Sequence, residues 1–161
     1  MQEKEQEKRN AVEEIICYFV NNEEARRVLL MIWDGFQAWD DAADGDENSN
    51  FAKAFRIAFV DLPASPLYGP AALHFQIQQC YIKWEAANAI ERHKLKDHLP
   101  KAYVLRAEFY QLIVNMVLYF EGLDIAIQKA PEIWACYGEN YNEYREEILC
   151  QTQDSQHLEG E

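Results

Sequence analysis

Three aspartates close a long apolar segment, Asp40, Asp41 and Asp44 in the run WDDAAD. Helical spacing puts Asp40 and Asp44 one turn apart on the same face, with Asp41 beside them. Two like charges at that spacing destabilise an exposed helix by roughly 0.2–0.5 kcal/mol. A hard divalent cation such as Mg²⁺ or Ca²⁺ takes carboxylate oxygens as ligands and would remove that repulsion. The spacing therefore predicts a metal site at these three residues.

A solvated charged turn is the alternative interpretation of the same acidic run. Asp46 and Glu47 precede a further helical segment, and negative charge is favourable at the start of a helix. DGDENSN also matches the first positions of a calcium-binding EF-hand loop. Its sixth position is Ser49 instead of Gly and its twelfth is Phe55 instead of Glu, so the bidentate ligand is missing. The residue types alone leave a bound cation and a solvated helix end both open.

The aspartate spacing also resembles the D-D-x-x-D magnesium motif of the class I isoprenoid synthases. The second metal motif of that family, N-x-x-x-S-x-x-x-E, has no counterpart, because GENYNEYREE supplies Asn and Glu without a Ser in register. The resemblance is confined to the aspartate motif, and the activity of that family is not carried over.

Polar side chains interrupt two otherwise apolar segments, WEAANAIE with Glu85 and Asn88, and KAYVLRAEFY with Arg106. A buried polar group without a partner costs roughly 1–3 kcal/mol. One interpretation is an internal network in which Glu85 or Glu91 binds Arg106, with Asn88 and Asn115 as bridges. The other is a polar pocket in which Arg106 faces the aspartates and holds the anionic group of a phosphorylated small molecule.

The charge balance narrows the class of partner. The 161 residues carry a formal net charge of -13 with only 15 Lys and Arg. Binding to nucleic-acid phosphates needs clustered cationic side chains, so no direct nucleic-acid binding is expected. The same deficit argues against an anionic membrane surface. Cation binding, a basic protein partner and simple solubility all fit an acidic chain.

Cysteine usage and the N-terminus indicate a cytoplasmic location. The four cysteines, Cys17, Cys80, Cys136 and Cys150, include no C-x-x-C pair, which is typical of a reduced protein without disulfides. The start MQEKEQEKRN is charged and has no apolar signal core. The longest apolar run, LIVNMVLYF, is too short to span a bilayer.

Apolar residues recur at helical spacing throughout the chain, and no segment alternates like a strand. Helices are predicted over about 3–20, 23–44, 50–62, 70–94, 101–121 and 131–149, with Asn22 as the N-cap of the second. The predicted fold is all-α, a compact single-domain bundle of five to six helices over residues 1–150. Residues 151–161 are predicted to be a frayed acidic tail.

At the level of the whole chain, WDDAADGD, LPASPLYGP, WEAANAIE, KAYVLRAEFY and APEIWACYGENYNEYREE together resemble small, uncharacterised α-helical proteins of tailed bacteriophages. The resemblance implies a host cytoplasm and a phage accessory or counter-defence role, without an assigned activity.

Two functional hypotheses follow. The first is a ligand-binding or hydrolytic bundle in which Asp40, Asp41 and Asp44 hold Mg²⁺ or Ca²⁺ opposite Glu85, Asn88 and Arg106. The second is a non-catalytic acidic interaction protein that binds a basic host or phage protein, as a nucleic-acid mimic would. The sequence specifies no reaction. The aromatic stripe from Trp134 to Tyr144 fits either core packing or a seam between two copies in a homo-oligomer.

Overall fold

A computed structural model describes residues 2–45, 50–93 and 95–157. Every regular element in these ranges is helical, which confirms the all-α class. The α-helices are α1 (Gln2–Phe19), α2 (Glu23–Asp44), α3 (Phe51–Arg56), α4 (Leu73–Arg92), α5 (Leu99–Arg106), α6 (Glu108–Glu121), α7 (Leu123–Ala135) and α8 (Tyr141–His157). A π-helical turn, Ile57–Asp61, continues α3, and a 3₁₀ turn, Lys96–His98, precedes α5.

The predicted count of five to six helices is wrong, because the described chain forms eight. The predicted helix 101–121 is divided at Ala107, whose backbone has φ -75° and ψ 6°. The division has a packing reason: Leu99 and Ala102 of α5 belong to a different hydrophobic cluster from Ile113 and Met116 of α6.

The last predicted helix is also divided. α7 begins at Leu123 and runs through Pro131, and a short link separates α7 from α8. α8 extends to His157, so helical backbone continues beyond residue 150. Residues 158–161 of the predicted tail lie outside the described residues.

The buried side chains form two clusters. The larger collects residues of α1, α2, α4, α6 and α7 around α6, whose Leu112, Ile113, Met116 and Val117 are almost fully buried. The smaller joins α4, α5 and α8 through Ala87, Leu99, Ala102 and Tyr144. The boundary between the two clusters coincides with the turn between α5 and α6.

The ends of α2 follow from local chemistry. The side chain of Asn22 accepts a hydrogen bond from the backbone N–H of Ala25 at 2.9 Å, as its predicted N-cap role requires. Gly45 ends the helix with φ 78°, a left-handed conformation that glycine adopts without steric cost. Within the described ranges, no helix is both long and apolar enough to cross a membrane.

Ala72, immediately before α4, has φ 50° and ψ 36°. The left-handed conformation costs an L-residue with a Cβ roughly 1–2 kcal/mol. We expect Ala72→Gly to raise the free energy of unfolding by about 0.5–1 kcal/mol, because the relief of strain exceeds the added entropy of the unfolded chain. Urea denaturation measures the change. The neighbouring Ala71→Gly is the control, and it should destabilise the protein because Ala71 is buried. A less stable Ala72→Gly protein would contradict the expectation.

Candidate functional site

A cleft of about 550 Å³ opens between α1, α2, α4 and the α5–α6 junction, with the α7–α8 link at one side. Its rings include those of Trp33, Trp39, Trp84, Phe109 and Tyr137, and we call it the aromatic cleft. Its charged and amide side chains are few, namely Lys8, Gln37, Asp40, Arg106, Glu108 and Glu139. A cavity of this size, mostly apolar with a few converging polar groups, is typical of small-molecule sites.

Arg106 is held at the wall of the aromatic cleft by a network of hydrogen bonds. Its Nε and Nη2 donate to the two carboxylate oxygens of Glu91 at 2.7 and 2.6 Å, and Nη2 also donates to Asn88 Oδ1 at 2.9 Å. The Tyr144 hydroxyl donates to Glu91 at 2.6 Å. The hydrogen bond to Glu91 is the main reason that the pKa of Arg106 is raised, with smaller contributions from the charges of Glu91 and Asp40.

The structure brings together some of the residues singled out from the sequence. Asp40 of α2 and Arg106 of α5 line the same cleft, and Asn88 holds Arg106 in place. Glu85 is not part of the Arg106 network: it forms an ion pair with Arg92 at 3.5 Å and accepts a hydrogen bond at 3.1 Å from Tyr81, which lines the cleft. Its place in the network is taken by Glu91, one of the two carboxylates considered from the sequence.

Asn115 does not bridge to Arg106. Its Oδ1 accepts from Gln111 at 2.8 Å, and its Nδ2 donates to Gln76 at 3.2 Å. These contacts form a separate polar group between α4 and α6. The sequence identified Asn115 as a polar residue in an apolar helix that needs partners, but not which partners it finds.

The metal site at Asp40, Asp41 and Asp44 stays a prediction. Asp41 is half-buried on α2 next to Asp40, and the side chain of Asp44 lies outside the described part of the chain. In that part, no three His, Cys, Asp or Glu side chains are grouped closely enough to hold an ion. The predicted triad is therefore not assembled from the described side chains alone.

A cluster of tyrosines that includes Tyr110 and Tyr137 of the aromatic cleft was not identified from the sequence as one unit. The Tyr103 ring centroid lies 5.0, 5.3 and 5.6 Å from those of Tyr137, Tyr141 and Tyr144. Tyr110 contacts Tyr137 at 5.7 Å. The helical spacing of the tyrosines after residue 136 was a visible signal, but their contacts with α5 and α6 depend on the tertiary fold.

Buried tyrosines make the stability of the protein sensitive to alkaline pH. Burial raises the pKa of Tyr110 from 10.0 to about 12, and its hydroxyl donates to the carbonyl oxygen of Cys136 at 3.2 Å. The pKa in the folded state is above that in the unfolded state. The contribution of the neutral Tyr110 side chain to the free energy of unfolding is therefore complete below pH 10. It is lost as the pH rises towards 12.

We expect the free energy of unfolding to fall between pH 10 and pH 11 by about 1 kcal/mol on account of Tyr110, since one pKa unit is worth about 1.4 kcal/mol. Denaturant titrations across this range measure the slope. Tyr110→Phe should make the slope shallower, and Tyr119→Phe, at an exposed position, is the control. An unchanged slope in Tyr110→Phe would contradict this assignment.

Comparison of the chain with protein-family models, with curated proteins and with solved structures finds no match. The resemblance to phage proteins and the cytoplasmic location therefore stay predictions.

Proposed function

We propose that this chain is a small-molecule-binding helical protein whose ligand lies in the aromatic cleft. The observation that carries the proposal is the placement of Asp40 and Arg106, which come from α2 and α5, on one cleft of about 550 Å³ lined by aromatic rings. Apolar walls with a few fixed polar groups bind and orient a ligand of matching shape.

The rings of the aromatic cleft suit a ligand with a flat or apolar body. Trp33, Trp84 and Tyr137 offer faces and edges against which a planar group packs favourably. Trp33 is itself held by an edge-to-face contact with Phe109 at 5.0 Å between ring centroids, so part of the wall is fixed before a ligand binds.

The polar end of the ligand is constrained by charge. Arg106 is already neutralised by Glu91, and Asp40 adds a further negative charge. A divalent cation bound by Asp40 would also take phosphate oxygens as ligands, so it would hold a phosphorylated group next to Asp40. The proposed ligand is therefore a phosphorylated small molecule bound with Mg²⁺ or Ca²⁺, with Asp41 and Asp44 as further ligands of the ion. Asn88 positions Arg106, and Glu85 holds the hydroxyl of Tyr81 at the cleft wall.

A thermal melt of the purified chain tests this proposal. The cation is Mg²⁺, Ca²⁺ or Mn²⁺ at millimolar concentration, and each melt is recorded with and without adenosine monophosphate, which serves as a planar phosphorylated probe. At a hundredfold excess over Kd, binding contributes about 2.7 kcal/mol, which corresponds to a rise in Tm of roughly 5–11 °C for a chain of this size. We expect the largest rise when cation and probe are both present.

Two variants make the melt specific. Asp40→Asn should abolish the rise that depends on the cation, and Trp84→Ala should reduce the rise that depends on the probe. Asp124→Asn, an exposed aspartate in the first turn of α7, is the matched control and should behave as the wild-type chain. No rise in Tm under any combination, or an undiminished rise in Asp40→Asn, would contradict the proposal.

A basic protein partner is the second candidate, and the net charge of -13 favours it. An acidic interaction surface of a phage accessory or counter-defence protein needs no cavity, so the aromatic cleft supports the small-molecule proposal more directly. Binding of a basic partner should weaken steeply as salt rises, whereas ligand binding inside the cleft should depend on salt much less.

A further inference from the structure

Aromatic side chains form much of the wall of the aromatic cleft, and tryptophan is the most frequent of them relative to its abundance. Three of the four tryptophans of the chain, Trp33, Trp39 and Trp84, line this one cavity. The face of an aromatic ring carries partial negative charge. A cation held against such a face is attracted to it, and tryptophan attracts a cation more strongly than tyrosine or phenylalanine does. The wall therefore favours a ligand group that is both apolar and positively charged.

The tyrosines that line the aromatic cleft use their hydroxyl protons within the protein. Tyr81 donates to the carboxylate of Glu85 at 3.1 Å, and Tyr137 donates to the carboxylate of Glu139. Tyr110 donates to a backbone carbonyl oxygen at 3.2 Å. Each hydroxyl has only one proton to donate, so these three do not offer it to an anionic ligand. A phenol that donates to a carboxylate is also polarised, which makes the face of its ring more negative.

The charges of the described lining agree with the rings. They comprise three carboxylates and two cations, namely Asp40, Glu108, Glu139, Lys8 and Arg106. Arg106 is paired with Glu91 at 2.6 Å, so it offers a ligand little net positive charge. Glu108 is paired with Lys83 at 2.5 Å and offers as little negative charge. Glu139 accepts its hydrogen bond from a neutral hydroxyl, which leaves the charge of its carboxylate in place. The net charge of -13 for the whole chain attracts a cation as well.

We propose that the aromatic cleft binds a quaternary ammonium group against its tryptophan rings, with the carboxylate of Glu139 as a counter-charge on the same cleft. A primary ammonium group has three N–H donors and is strongly hydrated, so it needs acceptors that an apolar wall does not supply. A quaternary ammonium group has no N–H and presents methyl groups, which pack on the rings while their faces attract the charge. The inference rests on the proposed function, which takes this cleft as the ligand site, and it assigns a charge to the body of the ligand whose phosphorylated end lies at Asp40.

Choline and its neutral isostere, 3,3-dimethylbutan-1-ol, test the proposal because they differ only in the charged nitrogen, which carbon replaces in the isostere. Both are titrated into the full chain with EDTA present, so that no divalent cation contributes. The fluorescence of the tryptophans in the cleft reports binding, and isothermal titration calorimetry measures Kd independently. We expect choline to bind about tenfold more tightly than the isostere. Equal affinities, or no binding of choline at millimolar concentration, would overturn the proposal.

Two sets of variants assign the preference for choline to the named residues. Trp84→Leu should reduce the preference to about twofold or less, whereas Trp84→Phe keeps a ring and should retain most of it. Glu139→Gln keeps an acceptor for Tyr137 and removes the charge, so it should weaken choline binding by about twofold to fivefold and leave the isostere unaffected. Glu143→Gln, exposed in the first turn of α8, changes the net charge equally and should bind as the wild-type chain.

Circular dichroism verifies that each variant keeps its helical content. If Trp84→Leu does not fold, Glu139→Gln still tests the proposal, because Glu139 is exposed. A preference for choline that is undiminished in every folded variant would overturn the assignment to this cleft. Phosphatidylcholine vesicles distinguish the two sources of the group. Sedimentation of the wild-type chain with the vesicles, lost in the variants, would assign the group to a lipid headgroup, and choline binding without sedimentation would assign it to a free molecule; both results support the quaternary ammonium group.

The choline titration and the melt with Mg²⁺ and adenosine monophosphate fail independently, because choline has no phosphate and adenosine monophosphate has no quaternary ammonium group. A preference for choline without a rise in Tm in that melt would support the present proposal and contradict the phosphorylated ligand. A rise in Tm without a preference for choline would overturn the present proposal and leave the proposed function in place.

Discussion

Arg106→Met is expected to lower the free energy of unfolding by about 3–5 kcal/mol, because it leaves the carboxylate of Glu91 buried without its partner. The Glu91 side chain is only 10% exposed and receives two hydrogen bonds from Arg106. Methionine retains most of the apolar volume of the arginine stem. The fall in the free energy of unfolding therefore measures the removal of the charge and not the creation of a cavity. Guanidinium or urea denaturation at pH 7 measures the change.

Arg92→Met is the matched control for Arg106→Met. Arg92 lies on α4 and forms an exposed ion pair with Glu85 at 3.5 Å, and exposed pairs of this kind contribute only about 0–1 kcal/mol. If Arg106→Met were no more destabilising than Arg92→Met, the network around Arg106 would not be a stabilising element of the fold.

A double-mutant cycle separates the pair from its surroundings. Adding Glu91→Gln to Arg106→Met should recover part of the lost stability, because the unpaired charge is removed while the volume is kept. Additive effects of the two substitutions would show that Glu91 and Arg106 do not act as a pair. The Tyr144 hydroxyl, which also donates to Glu91, remains in both variants.

Ile113→Ala is expected to destabilise the protein by about 2–5 kcal/mol, through lost burial and the cavity that remains. Ile113 is 0% exposed in the middle of α6 and lies within the larger hydrophobic cluster. Leu118→Ala on the same helix is the control, because Leu118 is 43% exposed and its truncation leaves a smaller void. Equal losses of stability in the two variants would contradict the central position of Ile113.

The helical class was determined by the sequence alone, because helical spacing and capping are local properties. Apolar residues at intervals of three and four predict helices wherever they occur, and Asn22 caps α2 as its residue type and position indicate. Local spacing does not reveal where a long apolar segment bends. The division between α5 and α6 follows from two separate hydrophobic clusters, which involve residues far apart in the chain.

The candidate site was predictable only in part. A buried cationic side chain is costly unless it forms an ion pair. A carboxylate partner for Arg106 was therefore expected from the sequence. Glu85 and Glu91 both lie on α4, and the choice of Glu91 depends on how α5 crosses that helix. The aromatic cleft depends on the same packing, since its rings come from several helices and each ring also fits the pattern of an ordinary core residue.

The phenylalanine row of α3 shows the division between sequence and tertiary structure most directly. The spacing of Phe51 and Phe55, within the predicted helix 50–62, places these two side chains on one side of α3, and Phe59 follows in the π-helical turn. Whether that side is covered depends on which elements pack over it. In the described chain the π-helical turn after α3 is anchored on α2 through Ile57, while Phe51, Phe55 and Phe59 stay exposed. Periodicity is a property of neighbouring residues, but burial is a property of the assembled surface, so only the tertiary structure could decide it.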